Sequence, residues 1–250
     1  YLKGRFEADL DAMERGERVS LLAKWLPSVH ASNAQTVRNG KRLARAFGLD
    51  DADYRKKVAA LRVQIRIIEN NLRERDYGFK YEKIPSRAMY KYKKAFMRND
   101  RERYMAFVSK VSSGRARLHA DNVSPYELVE PYLRADWWSR RSFMRDISPE
   151  ETAVLHATWE SLPDFGGEEN ALAVIDTSGS MYCGGRPLPA AVALALGLYF
   201  AERNRGIFRN HFIEFSQRPQ LIALKGETFA DRLRYAATFN EIANTNLEAV

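Results

Sequence analysis

The stretch that decides the fold runs Ala171-Leu172-Ala173-Val174-Ile175-Asp176-Thr177-Ser178-Gly179-Ser180. Its first five residues are continuously apolar, which is typical of a strand buried in a parallel sheet. A carboxylate and two hydroxyls follow at alternate positions, Asp176, Ser178 and Ser180. Because Mg²⁺ prefers such hard oxygen ligands, the stretch predicts a strand that ends in a metal site. The alternative is an Asx or Ser turn in which these side chains accept hydrogen bonds from backbone N–H groups.

The segments after this stretch predict an open α/β sheet. Residues 189–203 are rich in Ala and Leu and read as a helix, as do residues 229–239. Between them, residues 211–216 alternate like a strand and residues 220–224 predict another. The order strand, helix, strand, strand, helix is typical of α/β sheets, in which ligands bind beyond the carboxyl ends of strands.

The Asp-x-Ser-x-Ser pattern resembles the metal-ion-dependent adhesion site of von Willebrand factor A-type domains. That resemblance implies a divalent cation, Mg²⁺ or another such as Mn²⁺, held by side chains from three loops. Asp176, Ser178 and Ser180 match the first loop, and Thr245 lies where the second is expected. The Asp of the third loop has no counterpart before Val250, so the resemblance implies an incomplete domain and a weakened site. Such sites keep an open coordination position, which implies an acidic protein partner.

The first 160 residues read as a series of helices. In residues 51–76, apolar side chains recur at steps of three and four, which predicts a single amphipathic helix. Two Ser-Pro-x-Glu stretches, residues 124–127 and 148–151, predict helix starts with capping boxes. Further helices are predicted at residues 5–15, 18–26, 33–47, 87–98 and 101–112. Short helices in series favour a HEAT- or solenoid-like array, although no clean repeat period is present.

The change of pattern divides the chain. Residues 162–170 are polar and contain Pro and Gly, as a linker does. We therefore expect the fold class α plus α/β. An α-helical, HEAT/solenoid-like basic domain is expected over residues 1–165. An incomplete von Willebrand A-type doubly wound α/β domain is expected over residues 166–250.

Positive charge is concentrated in the first half of the chain. Residues 1–120 hold 28 Lys and Arg against 14 Asp and Glu, whereas the whole chain has a net charge of +8. A basic half of this kind is expected of a protein that binds a polyanion. The alternative is a well-solvated helical surface.

Composition excludes several classes of protein. An apolar content of 45% is ordinary for a soluble globular chain, and no stretch approaches the length of a membrane span. We therefore expect no membrane partner. Cys183 is the single cysteine, so no intrachain disulfide can form. That favours a reducing compartment, and we expect a cytoplasmic protein.

Residues 79–104 interleave cations with aromatic side chains, a composition that suits RNA. On a helix, Met89, Tyr92 and Phe96 share one face, and we expect that face in the core rather than stacked on bases. Four cations off that face are the candidate contacts to RNA phosphates: Lys91, Lys94, Arg98 and Arg101. The signal is general, because many helical proteins have a basic face.

The sequence predicts no catalytic residues. No His lies near the Asp176 motif, so a Ser-His-Asp arrangement around Ser178 or Ser180 has little support. Cys183 lies close to the motif, but a nucleophilic thiol would need a base. Gly184-Gly185 lacks the Lys-Ser/Thr of a phosphate-binding loop. We therefore expect a protein that is not an enzyme.

Several stretches resemble the domain of unknown function 2828 family: Leu22-Ala23-Lys24-Trp25-Leu26-Pro27-Ser28, Tyr54-Arg55-Lys56, Leu61-Arg62, Ile84-Pro85-Ser86 and residues 176–181. The resemblance runs from about residue 21 to residue 250. It implies a helical region paired with a von Willebrand A-like domain, and no defined activity.

The layout is more distantly similar to the Ro autoantigen (TROVE) proteins, in which a ring of helical repeats binds RNA and an A-type domain closes the ring. That resemblance implies a non-enzymatic RNA-binding scaffold. A protein–protein adaptor that uses the metal site without RNA is the second expectation, and a hydrolase is the third.

Overall fold

The computed structural model describes residues 1–65, 67–133, 144–167, 170–239 and 248. In these ranges the chain is mostly helical and contains a small mixed sheet near its C-terminal end. The chain divides into two compact units, Tyr1–Tyr77 and Gly78–Val250. The expected class, α plus α/β, is confirmed at this level.

The first unit contains five α-helices in its described part: α1 (Leu2–Glu14), α2 (Leu22–Trp25), α3 (Ala34–Phe47), α4 (Asp51–Gln64) and α5 (Ile68–Glu74). Its core is aromatic. The Phe6 ring stacks on Phe47, with ring centroids 4.9 Å apart, and on Tyr54 at 6.3 Å. These three buried rings form the centre of a hydrophobic cluster that also includes Leu26 and Leu61.

Helix α3 begins and ends where the sequence predicts. The Asn33 side chain accepts a hydrogen bond from the Thr36 N–H at 2.9 Å, which caps the first turn. Gly48 follows the last residue with φ 76°, a left-handed conformation that glycine adopts without steric cost.

The single helix predicted over residues 51–76 is wrong. Helix α4 ends at Gln64, and Ile65 is extended, with ψ 119°. The Asn70 side-chain amide donates to the carbonyl oxygens of Ile65 (2.7 Å) and Arg62 (3.1 Å). In a continuing helix, these carbonyl oxygens would have accepted backbone N–H groups of the next turn. Helix α4 therefore ends here, and α5 begins at Ile68. The helix predicted at residues 18–26 is also shorter, Leu22–Trp25.

The second unit contains six α-helices among its described residues: α6 (Ser86–Asn99), α7 (Arg101–Ser112), α8 (Pro125–Val129), α9 (Pro149–Glu160), α10 (Pro189–Arg203) and α11 (Phe229–Ala236). Short 3-10 helices cover Tyr81–Lys83, Glu130–Tyr132 and Gly179–Tyr182. Both Ser-Pro-x-Glu stretches start helices with capping boxes, as predicted. At Ser148 the hydroxyl accepts from the Glu151 N–H at 3.2 Å.

The sheet has three strands, β1 (Ala173–Ile175), β2 (His211–Glu214) and β3 (Gln220–Ala223), in the order β1-β2-β3. Strands β1 and β2 are parallel, with Ile175 opposite Glu214. Strands β2 and β3 are antiparallel. The predicted order strand, helix, strand, strand, helix is confirmed, because α10 connects β1 to β2 and α11 follows β3.

Within the second unit, the helices before residue 165 and the sheet region after it share one hydrophobic core. Trp159 of α9 is fully buried and stacks on Phe229 of α11, with ring centroids 3.8 Å apart. Its indole N–H donates to Glu202 Oε2 at 2.7 Å. The expected domain boundary at residues 165 and 166 falls within this unit and stays a prediction from sequence.

Candidate metal loop and basic cleft

The loop Asp176–Ser180, called the Asp176 loop below, begins directly after β1. Ile175, the last residue of β1, is 4% exposed and packs closely against α10 at Gly197. A Cβ atom at Gly197 would lie 2.6 Å from Ile175 Cγ2, so only glycine allows this approach. The contact between Ile175 and Gly197 therefore fixes where the loop leaves the sheet.

The Asp176 loop forms a turn that brings the three predicted ligands close together. Asp176 Oδ1 accepts a hydrogen bond from the Ser178 N–H at 2.8 Å. The hydroxyl oxygens of Ser178 and Ser180 lie 3.2 Å apart. The first contact is the Asx turn of the alternative interpretation, and it engages one of the two carboxylate oxygens of Asp176. The second contact is itself within hydrogen-bond distance, so the two hydroxyls lie next to each other in the turn.

The chemistry of the loop fits a hard cation, since its donors are a carboxylate and two hydroxyls. Thr245, the fourth predicted ligand, lies outside the described residues. In the described ranges, no group of three His, Cys, Asp or Glu side chains could hold a metal. Asp176 is therefore the carboxylate on which a site in this loop would depend.

Sequence reasoning missed two buried polar residues at the carboxyl end of β2. Glu214 is 5% exposed and lies opposite Ile175, the last residue of β1, in the parallel register. Ser216 is 4% exposed, and its hydroxyl accepts from the Arg218 N–H at 3.2 Å. The alternation of apolar residues predicted the strand, but only the sheet register shows that the buried Glu214 pairs with the residue that precedes the Asp176 loop.

A second candidate site is an open cavity of about 750 Å³ between α6, α8 and α9, called the basic cleft below. Its lining combines cations with apolar and aromatic side chains: Tyr90, Lys91, Lys93, Lys94, Met97, Arg98, Leu128, Pro131, Tyr132, Arg145, Glu151, Val154, Leu155 and Thr158. Five of these side chains are basic and one is acidic. The cleft is therefore a region of positive potential partly surrounded by low-dielectric walls, which strengthens its field.

Helix α6 has the two faces that its sequence predicts. Met89 and Phe96 are 3% and 0% exposed, which confirms that they belong to the core, whereas Tyr92, predicted with them, is only half-buried. Lys91, Lys94 and Arg98 are exposed, and all three line the basic cleft. The structure thus brings three of the four predicted phosphate contacts together.

Arg101, the fourth candidate, has a different environment. It begins α7 and forms an ion pair with Glu150, with 2.5 Å between Arg101 Nη2 and Glu150 Oε1. It is not among the residues that line the cleft. A phosphate at Arg101 would have to compete with this carboxylate.

Arg145 is a cleft cation that sequence reasoning missed. Its Nη2 donates to Glu151 Oε1 at 2.9 Å and its Nε to the Pro131 carbonyl oxygen at 3.1 Å. Its guanidinium carbon lies 4.5 Å from the ring centroid of Tyr132. Burial alone would raise the pKa of Glu151, but hydrogen bonds from Arg145 and the Ser148 N–H outweigh burial and lower it. Glu151 therefore stays ionised and holds Arg145 at the cleft wall.

Lys93 is the second cation that was missed. Its ammonium lies 4.3 Å from the ring centroid of Tyr90, and burial, together with the nearby Lys94, lowers its pKa to about 8. Glu127 and Glu151 act in the opposite direction and are outweighed. The fold therefore places a partly desolvated cation inside a cleft that is already positive.

Within the part of the chain that the structure describes, most of this positive charge has no counterion. Among the residues that the structure describes, no carboxylate lies within ion-pair distance of Lys91, Lys93, Lys94 or Arg98. Ion pairs elsewhere on these helices engage Arg87 with Glu127 and Arg101 with Glu150. Such an excess of like charge repels itself, so an anion from solution would be attracted to the cleft.

The family of this chain follows from comparison with known families. The profile of the family called domain of unknown function DUF2828 matches residues 4–164, more than half of the chain. The chain belongs to the DUF2828 family. A second profile, domain of unknown function DUF7788, matches residues 170–250. In this DUF2828 protein the basic cleft therefore lies in the DUF2828 region, and the Asp176 loop in the DUF7788 region.

The DUF2828 protein is similar to an uncharacterised protein, L728, of Acanthamoeba polyphaga mimivirus. The two are 27% identical over 247 residues, which cover 93% of this chain and 41% of the viral protein. The chain thus spans about two fifths of the length of that relative. No solved structure matches the chain. In its described part, none of the helices combines the length and apolar character needed to cross a bilayer.

Proposed function

We propose that this DUF2828 protein is a non-enzymatic RNA-binding scaffold whose Asp176 loop holds a divalent cation for partner binding. The observation that carries the proposal is the exposed face of α6. Lys91, Lys94 and Arg98 lie there together, and none has a carboxylate partner in the described part of the chain. Cations without internal partners are free to neutralise phosphates and release the counterions of RNA.

The RNA surface is centred on α6 and extends toward α7 through Arg101. Because Arg101 is paired with Glu150, we expect it to contribute less than Lys94 or Arg98. The contacts are to phosphates, so they favour RNA in general over any one sequence. The Ro (TROVE) proteins combine a helical region that binds RNA with an A-type domain, which is the arrangement proposed here. A cytoplasmic location is also part of the proposal and accords with the single thiol.

A von Willebrand A-type domain over residues 166–250 is part of the proposal. It is supported by a parallel β1–β2 pair connected through α10 and by the Asp176 motif at the carboxyl end of β1. Asp176, Ser178, Ser180 and Thr245 would hold Mg²⁺ or Mn²⁺. The bound cation would supply an open coordination position for a carboxylate of a partner protein.

The alternative is an adaptor that binds an acidic protein through the metal and does not bind RNA. The observation in its favour is the turn that holds the Ser178 and Ser180 hydroxyls 3.2 Å apart beside Asp176. In that case the cations of α6 would be a solvated surface.

RNA binding tests the main proposal. Fluorescence anisotropy with the full 250-residue chain would use one structured and one single-stranded RNA across a salt series. We expect log K to fall linearly with log salt, with a slope of about −2 to −4 for three or four phosphate contacts. An affinity that ignores ionic strength, or no binding at low salt, would contradict the proposal.

A pair of variants locates the surface. Lys94→Glu combined with Arg98→Glu should weaken RNA binding by about 10- to 100-fold, because two contacts are lost and two repulsions added. The control is Lys56→Glu with Lys57→Glu, two exposed lysines of α4 that give the same change in net charge. Equal losses in both variants would mean that only overall charge matters.

Asp176→Ala tests the metal site separately from RNA binding. Removing the loop's carboxylate should abolish binding of Mg²⁺ or Mn²⁺, measured by calorimetry, and leave RNA affinity unchanged. If metal binding survives in Asp176→Ala, the metal part of the proposal is wrong.

A further inference from the structure

We infer that the basic cleft is a binding site for a nucleoside monophosphate, either free or as the 5′-terminal nucleotide of an RNA. This inference shares Lys91, Lys94 and Arg98 with the RNA surface proposed above but does not require that function. The cleft volume of about 750 Å³ lies within the range of small-molecule sites.

The phosphate part follows from the charges that face one another across the cleft. Lys93, Lys94 and Arg98 come from α6, and Arg145 comes from the segment that precedes α9. Among the described lining residues Glu151 is the acidic one, and its bond to Arg145 already engages it. A phosphate monoester carries up to two negative charges and three acceptor oxygens, so it can accept charge-assisted hydrogen bonds from both walls.

The nucleoside part follows from the apolar floor. The part of this floor that a ligand can reach is formed by half-buried Met97 and exposed Pro131, since Leu128 and Leu155 are only 1% and 2% exposed. A bare phosphate would leave this floor in contact with water. A ligand that carries an apolar or aromatic body beside its phosphate would cover it and add hydrophobic stabilisation.

Arg145 favours an aromatic body over an aliphatic one. Its guanidinium lies over the Tyr132 ring and is held there by bonds to Glu151 and to the Pro131 carbonyl. A planar guanidinium stacks well on nucleobases and on aromatic rings. The side of the guanidinium away from Tyr132 is therefore a stacking surface for a base, and it costs little entropy because the side chain is already held.

Calorimetry with the full chain tests the site with three probes: adenosine 5′-monophosphate, adenosine and inorganic phosphate. We expect the monophosphate to bind at least tenfold more tightly than either other probe. Equal affinity for inorganic phosphate would overturn the nucleoside part, and equal affinity for adenosine would overturn the phosphate part. No heat of binding at millimolar monophosphate would overturn the inference as a whole.

Variants place the binding in the cleft. Lys94→Met with Arg98→Met changes two exposed side chains and should weaken monophosphate binding by at least tenfold. Lys56→Met with Lys57→Met removes the same charge from α4 and should have no effect. Arg145→Lys keeps the charge but removes the planar stacking group, so it should weaken the monophosphate more than inorganic phosphate. If the α6 pair binds the monophosphate as the wild-type chain does, the site is elsewhere and the inference is wrong.

Competition distinguishes the two sources and separates this inference from the proposed function. If the monophosphate displaces a 5′-phosphorylated RNA that binds more tightly than its 5′-hydroxyl twin, the cleft holds an RNA terminus. If the monophosphate binds and both RNAs bind equally, the ligand is the free nucleotide. Monophosphate binding without any RNA binding would support the cleft and contradict the scaffold. RNA binding without monophosphate binding would support the scaffold and contradict the nucleotide site in the cleft.

Discussion

The Asp176 loop and the basic cleft belong to the same compact unit and are built in opposite ways. The loop holds three oxygen donors within five consecutive residues, and hydrogen bonds inside the turn set their spacing. The cleft collects cations from residue 91 to residue 145, and only the tertiary fold brings α6 and the segment before α9 to the same cavity. The geometry of the Asp176 loop should therefore tolerate changes elsewhere in the core, whereas the geometry of the basic cleft depends on every segment that lines it.

The largest expected effect tests whether the two regions share one core. Trp159→Ala removes a fully buried indole, its stack on Phe229 and its hydrogen bond to Glu202. We expect a loss of about 3–5 kcal/mol in the free energy of unfolding, measured by denaturant titration. Metal binding by the loop and anion binding by the cleft should fail together.

The matched control is Trp25→Ala, because Trp25 is 76% exposed. It should change the stability by less than about 0.5 kcal/mol. If Trp159→Ala lowers the free energy of unfolding by no more than this control does, the shared core does not hold the second unit together.

The second prediction separates the loop from the cleft. Gly197→Ala forces a methyl group against Ile175 at the end of β1, at a cost of about 1–3 kcal/mol. The shift should weaken Mg²⁺ binding at the Asp176 loop and leave the affinity of the cleft for adenosine monophosphate unchanged.

Gly4→Ala is the control for helix propensity, since a Cβ at Gly4 would meet no atom within 4 Å. It should stabilise the chain by up to about 1 kcal/mol. A stabilised Gly197→Ala variant would show that β1 and α10 can move apart at no cost.

The third prediction concerns the charge inside the cleft. The pKa of Lys93 is about 8 in the folded chain, below its ordinary value of 10.5. Between pH 8 and pH 10.5, Lys93 is more often protonated in the unfolded chain than in the folded chain, so the free energy of unfolding rises with pH. The destabilisation by Lys93 is therefore fully present below about pH 8 and is lost as the pH approaches 10.5. Allowing for partial exposure, Lys93→Met should raise the free energy of unfolding at pH 7 by about 1–2 kcal/mol.

The gain from Lys93→Met should shrink as the pH rises from 7 to 9.5, measured by urea titration at each pH. Adding adenosine monophosphate should reduce it as well, because a bound anion compensates the charge in the wild-type chain. Lys91→Met on the same helix is the control, since Lys91 is exposed. A gain that does not depend on pH would attribute the effect to packing rather than to charge.

The smallest expected effect concerns the helix that carries Glu151. Ser148→Ala removes the N-cap of α9 and should cost about 1 kcal/mol. It should also loosen Glu151 and Arg145, which weakens anion binding slightly and leaves the Asp176 loop unaffected. Ser109→Ala, at an exposed site within α7, should be neutral in both measurements.

The parts of the fold that were predictable depend on near neighbours. Asn33 and Gly48 mark the ends of α3 because capping uses atoms a few residues away. The break after Gln64 was not predictable from periodicity, because it depends on the Asn70 amide reaching back to α4. An apolar stripe continues across such a break without any sign of it.

The candidate sites divide in the same way. Asp176, Ser178 and Ser180 could be identified as a group because they lie in one turn. Lys91, Lys94 and Arg98 could be assigned to one helix face, but no local pattern connects them with Arg145, about 50 residues later. Lys93 was missed because its burial depends on tertiary packing around α6, although its contact with Tyr90 lies within that helix.

The lone thiol gives this chain a natural reporter. Cys183 is exposed and follows Ser180 by three residues, with its sulfur 3.8 Å from the Gly179 carbonyl oxygen. A maleimide dye would therefore attach at one position, beside the turn that carries the oxygen donors. Its emission would follow a divalent-cation titration without any engineered cysteine, and α6, which has no cysteine, would stay unlabelled.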